Sequence, residues 1–148
     1  MYDLTVKLGS LFGRILLAII FFVSGINKVW AFENTAKWMK DFGVPEIFLP
    51  VVIAFEILAA IALVIGWRTQ IAALLMAGFC ILTAVIFHSD FESRIGPILF
   101  MKNLAIAGGF LILAVNGPGY FSLDNRREAT QQRRQKKMTQ KFHSQIIP

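Results

Sequence analysis

Four stretches of this chain, residues 8–29, 47–65, 71–87 and 98–115, are almost wholly apolar, and no other feature restricts the fold as much. Each holds roughly 17 to 22 residues, which at 1.5 Å per residue is roughly 26–33 Å, one hydrocarbon thickness. Inside hydrocarbon the backbone finds no water, so each stretch must satisfy its own amides and carbonyls as a helix. Composition agrees: 56% of the residues are hydrophobic and 16% charged, too little polar surface to cover a soluble domain of 148 residues. The links at 66–70 and 88–97 are short and make antiparallel neighbours of the helices they join. The expected fold is all-α, an integral membrane up-and-down four-helix bundle over residues 1–121, followed by a basic tail over 122–148.

The link between the first two spans has a pattern of its own. Phe32, Ala36, Met39 and Phe42 recur at helical spacing, Asn34 offers a cap, and Gly43 followed by Pro45 is a stop signal. The spacing predicts a short amphipathic helix at the interface, with Trp38 at headgroup level. Pairs of small residues four apart, Gly9 with Gly13, Ala73 with Ala77 and Ala105 with Gly109, predict faces where helices approach closely.

Charge gives the orientation. Lys7, Arg68 and the tail residues Arg126, Arg127, Arg133, Arg134, Lys136, Lys137 and Lys141 fall on one side, and Lys28, Lys37, Lys40 and Arg94 on the other. The positive-inside rule puts the first side, with both termini, in the cytoplasm. The net charge of +6 is concentrated in Arg126–Lys141 rather than on a folded basic face, so the partner it implies is anionic lipid and not nucleic acid. The tail reads as helix-prone or disordered. The first ten residues, with Asp3 beside Lys7 and no small-residue cleavage site after the following apolar run, do not read as a removable signal peptide. Cys80 is the only cysteine and lies in an apolar run, which excludes a disulfide and thiol-pair redox catalysis.

Glu56 stands at the centre of the second apolar stretch, where a carboxylate is costly and usually has a role. An isolated glutamate there would be protonated, whereas one beside a cation would be ionised. Arg14, about two turns into the first span from the cytoplasmic side, and Lys102, about one turn into the fourth from the outer side, are the cations expected to reach it. Each can instead snorkel to its own headgroups. Ser24, Asn27 and Lys28 end the first span, His88 and Asp90 end the third, and Lys102 with Asn103 open the fourth. Arg14, Ala18, Phe21, Gly25 and Lys28 step along one side of the first helix, so a single face can join the midplane to the outer surface and open a polar cleft there. His88 titrates near neutrality and is a candidate proton carrier, although histidines at helix ends are more often interfacial. With His143 in the tail, two axial histidines cannot meet inside the bundle, and no carboxylate–histidine cluster has metal spacing. No intrinsic metal or haem is expected.

Gly13-Arg14 early in the first helix, Ser24-Gly25-Ile26-Asn27-Lys28 at its end, Pro50 and Glu56 in the second, Phe87-His88 closing the third and Lys102-Asn103 with Gly108 in the fourth form an ordered series. In this order, over about residues 8–120, the chain resembles the DoxX family, most closely its bacterial inner-membrane members. The resemblance implies an association with quinone-linked oxidation, as in small subunits of thiosulfate:quinone oxidoreductase or terminal oxidase assemblies, and with membrane oxidoreductase complexes that handle oxidative stress. It makes Arg14, Lys28, Glu56, His88, Lys102 and Asn103 candidates for a shared site, with Glu56 and His88 as candidate catalytic groups. The basic tail lies outside it.

Three readings follow. In the first, the chain is an accessory subunit of a quinone-linked membrane oxidoreductase rather than a self-sufficient enzyme. Its cleft holds a quinone or small sulfur anion against Lys102 and Arg14, with Phe21, Phe22 and Phe55 packed on a ring and other redox subunits or copies of itself as partners. In the second, the chain is a structural or assembly protein whose charge cluster only fixes helix packing. The third, solute transport, is weakened by the small volume four helices enclose.

Overall fold

A computed structural model describes residues 3–146. Among them are six α-helices and no strand: α1 (Leu4–Trp30), α2 (Phe32–Asp41), α3 (Leu49–Ile65), α4 (Thr69–Phe87), α5 (Gly96–Asn116) and α6 (Leu123–Ile146), with a 3-10 turn, Glu46–Phe48, leading into α3. Helices α1, α4 and α5, and α3 with its leading turn, are long and apolar enough to cross a membrane, and they run up and down as expected. Helix α1 lies along α3 and α4 along α5, while α3 touches α4 and α1 touches α5 to close the bundle.

The buried face of α1 is Arg14, Ala18, Phe21 and Gly25, the row that helical spacing predicts, and Lys28 continues it half-buried. Phe21 carries this face into the core, with ring centroids 5.5 Å from Phe110 and 6.4 Å from Phe79. Met76, Cys80, Ala73 and Ala77 of α4 complete it. The expected small-residue contacts hold only in part. Ala73 and Ala77 are buried and Gly109 lies close to Leu17 of α1, where an added Cβ would stand 3.1 Å from that side chain, but Gly9 and Gly13 face open space and Ala105 is exposed. The close approach of α1 to α3 occurs instead at Gly25, where an added Cβ would stand 2.7 Å from the Ile57 side chain.

Helix α2 begins at Phe32 rather than after Asn34, and no side chain caps it. Ala36 and Met39 are buried against Leu49 and Ile53 of α3, so α2 is packed over one end of the bundle. Trp38 lies flat on Phe87, with centroids 4.5 Å apart and the planes at 21°, and Phe42 packs against both rings. The tryptophan expected to lie at headgroup level is therefore also a tertiary contact, because a stacked ring gains more than one left wholly to the interface.

The other end of the bundle is closed by the start of α6. Helix α3 stops at Gly66, whose φ of 72° suits glycine, with Trp67 N–H donating to the Ala62 carbonyl and Gly66 N–H to that of Leu63. A side chain at Gly66 would collide with Ser122 and Arg14. Helix α4 then starts without a cap of its own: the Arg68 and Thr69 amides each donate to Asp124, both at 2.9 Å, and the Thr69 hydroxyl donates to the same carboxylate at 3.0 Å. The Asp124 amide in turn donates to the Gly66 carbonyl at 3.0 Å. A residue in the basic tail thus supplies the N-terminal cap of a membrane helix, and the first turn of that tail belongs to the bundle. Partial burial pushes the Asp124 carboxyl up, but the Thr69 and Arg68 amides outweigh it and hold the group below its ordinary range.

Asp124→Ala leaves two helix-start amides unsatisfied and is expected to cost about 1–2 kcal/mol. Because the carboxyl is held low in the fold, its contribution is complete above the ordinary aspartate range and is lost only as pH falls through the lowered value. Hydrogen exchange in detergent micelles, read at residues 67–70 and 123–127 in both proteins, checks this. Unchanged protection in the variant would refute the cap.

Candidate functional site

At the end covered by α2, the polar residues of three spans converge. Lys28, on the last turn of α1, donates to both carboxylate oxygens of Glu56 at 2.9 Å and to Ser24 at 2.6 Å. Ser24, one turn earlier on the same face, donates to Glu56 at 3.4 Å. Glu56 is 2% exposed, and its partner reaches inward from a side chain that is 23% exposed. The pair joins α1 to α3 where Gly25 lets the two helices approach, since the carboxylate-bearing Cβ is itself 3.5 Å from the position of an added Gly25 Cβ.

The expected partners of Glu56 were Arg14 and Lys102, and neither is its ion-pair partner. Arg14 is 2% exposed but belongs to the opposite end of the bundle, where it donates to the Phe121 carbonyl at 2.6 Å, to that of Pro118 at 2.7 Å and to that of Val64 at 3.3 Å. The Val64 carbonyl lies in the last turn of α3, whose carbonyls have no intrahelical partners, and the Pro118 and Phe121 carbonyls lie in the link before α6. A guanidinium with several donors in one plane satisfies them together, so it neither snorkels to water nor climbs toward the midplane.

Lys102 forms no ion pair among the described residues and instead faces a cavity of about 260 Å³. The same cavity is lined by Lys28, Glu56, His88 and Asn103, so five of the six carried-over site residues meet there and Arg14 does not. Asn103 donates one amide hydrogen to the Leu99 carbonyl at 3.0 Å, which fixes its carboxamide beside Lys102. His88, in the link just past α4, has its pKa lowered by burial and by the neighbouring positive charge of Lys102, which keeps the imidazole neutral at neutral pH. The walls are aromatic and apolar: Phe21 and Phe79 below, Trp38 and Phe87 at the α2 side. Of the three phenylalanines expected to meet a ring, only Phe21 lines this space. Phe55 packs on Phe79 in the core and Phe22 is exposed to the outside.

Sequence reasoning missed the contributions of Thr35, Trp38 and Thr83 to this lining. Phe79, Thr83 and Phe87 recur every four residues along α4, a stripe that identifies the face turned toward the cavity. Thr35 and Trp38 could not be assigned to it from sequence, because their placement depends on α2 folding back over the bundle. What the arrangement offers chemically is a small open cleft with one exposed ammonium, a neutral imidazole, a carboxamide and a buried ion pair, walled by rings.

Comparison with known proteins places this geometry in a family. The DoxX family model matches residues 9–89. The chain is 44% identical over 116 residues to the inner membrane protein YqjF of Escherichia coli (strain K12), covering 78% of this chain and 89% of that protein. It is 40% identical over 123 residues to the inner membrane protein YphA of the same organism, covering 78% of this chain and 88% of that protein. A protein of Bacillus subtilis (strain 168) named "Putative oxidoreductase CatD" is 31% identical over 71 residues, 48% of this chain and 53% of its own length. No solved structure matches. The chain belongs to the DoxX family and is a multi-pass inner membrane protein.

The ion pair makes a quantitative expectation. Lys28→Met or Glu56→Gln alone leaves a buried polar group without its partner and is expected to lower stability by on the order of 3 kcal/mol. The double variant is expected to recover most of that loss, whereas Glu56→Gln combined with Lys102→Met is not. Thermal unfolding of these four variants and of Lys102→Met alone in one detergent decides the matter, and equal coupling of Glu56 to both lysines would refute the assignment.

Proposed function

We propose that this DoxX-family protein is an accessory subunit of a membrane oxidoreductase system and that the cavity beside the Lys28–Glu56 pair receives the ring of a quinone. The observation that carries the reading is Lys102: an exposed lysine inside α5 that faces an aromatic-walled cavity and has no ion-pair partner among the described residues. A cation that served packing alone would be paired, as Lys28 is. The name of the Bacillus subtilis relative adds support of a distant kind.

The residues fit such a group by chemistry and by size. A volume of about 260 Å³ is below the ~300–1,000 Å³ of pockets that enclose drug-sized ligands, which suits one ring with its prenyl tail left among the lipids. Phe21, Phe79, Trp38 and Phe87 supply faces and edges for the ring. Lys102 would hold one ring oxygen by a charge-assisted hydrogen bond. His88, neutral and at the rim, can deliver or accept a proton there, and the Lys28–Glu56 pair holds the inner wall in place. A quinone bound there would supply two-electron chemistry, and donors of those electrons would come from other subunits.

Orientation follows from the cations that are left over. Lys28 is taken up by Glu56 and Lys40 by Glu46 at 2.6 Å, so the end bearing α2 has fewer free positive charges than its sequence suggests. The end where α6 starts keeps Lys7, Arg68, Arg126 and Arg127 free of ion pairs among the described residues. The positive-inside rule therefore makes that end cytoplasmic and the cavity outward-facing.

Short-chain quinones should raise the melting temperature of the purified protein, and Lys102→Met should weaken that response at least tenfold while leaving the ligand-free melting temperature within about 2 °C. No shift with any quinone, or an unaltered response in Lys102→Met, leaves the charge cluster as a packing device and ends this reading. For the orientation, a cytoplasm-dependent fluorescent reporter fused after α6 is expected to be active, and a periplasm-dependent phosphatase inserted between α4 and α5 is expected to be active. The reverse pattern would overturn the assignment.

A further inference from the structure

A groove of about 870 Å³, larger than the polar cavity, lies at the opposite end, between the first turns of α1, the start of α4, the 117–120 link and the first turns of α6. Three cations face it, Lys7, Arg68 and Arg127, and none forms an ion pair among the described residues. Two acidic residues also face it. Asp124 is already engaged by the Arg68 and Thr69 amides and the Thr69 hydroxyl, which leaves Glu128 as the one acidic side chain there without a described partner. Asp124 keeps its charge, with Arg127 close to it, so the three cations exceed the two carboxylates by one positive charge.

Its parts are held in place. The Lys7 ammonium sits 4.2 Å from the centroid of the Tyr120 ring, which fixes an otherwise mobile cation at the mouth. Arg68 adopts φ 46°, a left-handed backbone that a non-glycine residue adopts only when its surroundings impose it, and here its amide is tied to Asp124. The two link glycines, Gly117 and Gly119, also have positive φ and carry the chain tightly from α5 toward α6. Polarity is graded along the helices. Arg68 precedes α4 and Ile71, more than half exposed, follows deeper within its first turn, while Val6 adjoins Lys7 on α1 on the side away from the bundle. On α4 a cation stands above an exposed apolar side chain, the order in which a phospholipid presents its phosphate and its acyl chains at a membrane surface.

We propose that this groove is a binding site for one acidic phospholipid, whose phosphate is held among Lys7, Arg68 and Arg127 and whose chains run down past Ile71. The site is distinct from the attraction of the rest of the basic tail to a charged surface, because it requires a recess and a fixed set of three cations. It is independent of the quinone reading and lies at the other end of the bundle.

The test is native mass spectrometry of the full chain released from nanodiscs containing equal amounts of phosphatidylglycerol and phosphatidylcholine. The wild type is expected to retain one phosphatidylglycerol preferentially. Lys7→Gln combined with Arg68→Asn is expected to lose that preference at least fivefold, since asparagine tolerates the left-handed backbone at 68. Arg133→Gln combined with Arg134→Gln removes the same charge from α6 beyond the groove and is expected to retain the lipid. Melting temperature of each variant in detergent separates loss of binding from loss of fold. Equal loss in both double variants, or equal retention of phosphatidylcholine by the wild type, would overturn the site. So would displacement of the lipid by millimolar inorganic phosphate, which would make it a site for free anions.

Discussion

Hydrocarbon offers no partner to a charge, and the two charges that this chain buries most deeply, Arg14 and Glu56, set the terms on which the helices assemble. Each takes its partners from within the protein and in a different manner, although the Arg14 Nε is left buried without an acceptor among the described residues. Arg14 collects carbonyls left open by the end of α3 and by the link before α6, so its cost is offset by groups that themselves needed donors. Glu56 takes a side-chain cation, Lys28, which reaches in from the last turn of α1. The first arrangement closes one end of the bundle, and the second leaves a recess at the other.

That recess exists because the ion pair is asymmetric. Lys28 enters from the edge of the membrane and keeps 23% of its side chain exposed, so its path from the surface to Glu56 runs between helices rather than through a filled core. Helix α2 covers this path from above, and Trp38 lies on Phe87 as its seal. The pair therefore fixes packing and borders a cavity at once, and the two readings of the cluster differ in what Lys102 does, not in what Lys28 does. A packing device accounts for Lys28, Ser24 and Glu56 in full, but leaves Lys102 beside an unfilled space.

Much of this was legible in the sequence. The four spans follow from length and apolarity alone, and the inward face of α1 follows from the spacing of Arg14, Ala18, Phe21, Gly25 and Lys28. Glu56 announced itself as the one charge in its span. Its partner did not, because depth along a helix says nothing of which helix lies alongside: α1 packs on α3, so the nearest cation is the one at the end of α1, while Lys102 sits on α5. Arg14 was misread for a related reason. Its best acceptors are backbone carbonyls, which every residue carries and no sequence pattern marks. The Asp124 cap was equally hidden, since it links a residue in a polar tail to the start of a helix more than fifty positions away.

The two buried charges also solve a problem that apolar patterning cannot. Helices α3, α4 and α5 are hydrophobic on nearly every side, and in lipid an outward-facing leucine is as well placed as an inward-facing one, so hydrophobicity does little to choose their rotation. Helix α1 carries Arg14 and Lys28 on one face, roughly 21 Å apart along its axis. A slip of one residue would turn that face by about 100° and send both cations toward lipid together. The rotation and depth of α1 are thus fixed at two points, one at each end of the bundle, and α3 is fixed with it because it supplies an acceptor at both: the Val64 carbonyl at one end and the Glu56 carboxylate at the other. The Asp124 cap extends the same principle to α4, using a polar residue outside the spans to set where a membrane helix begins.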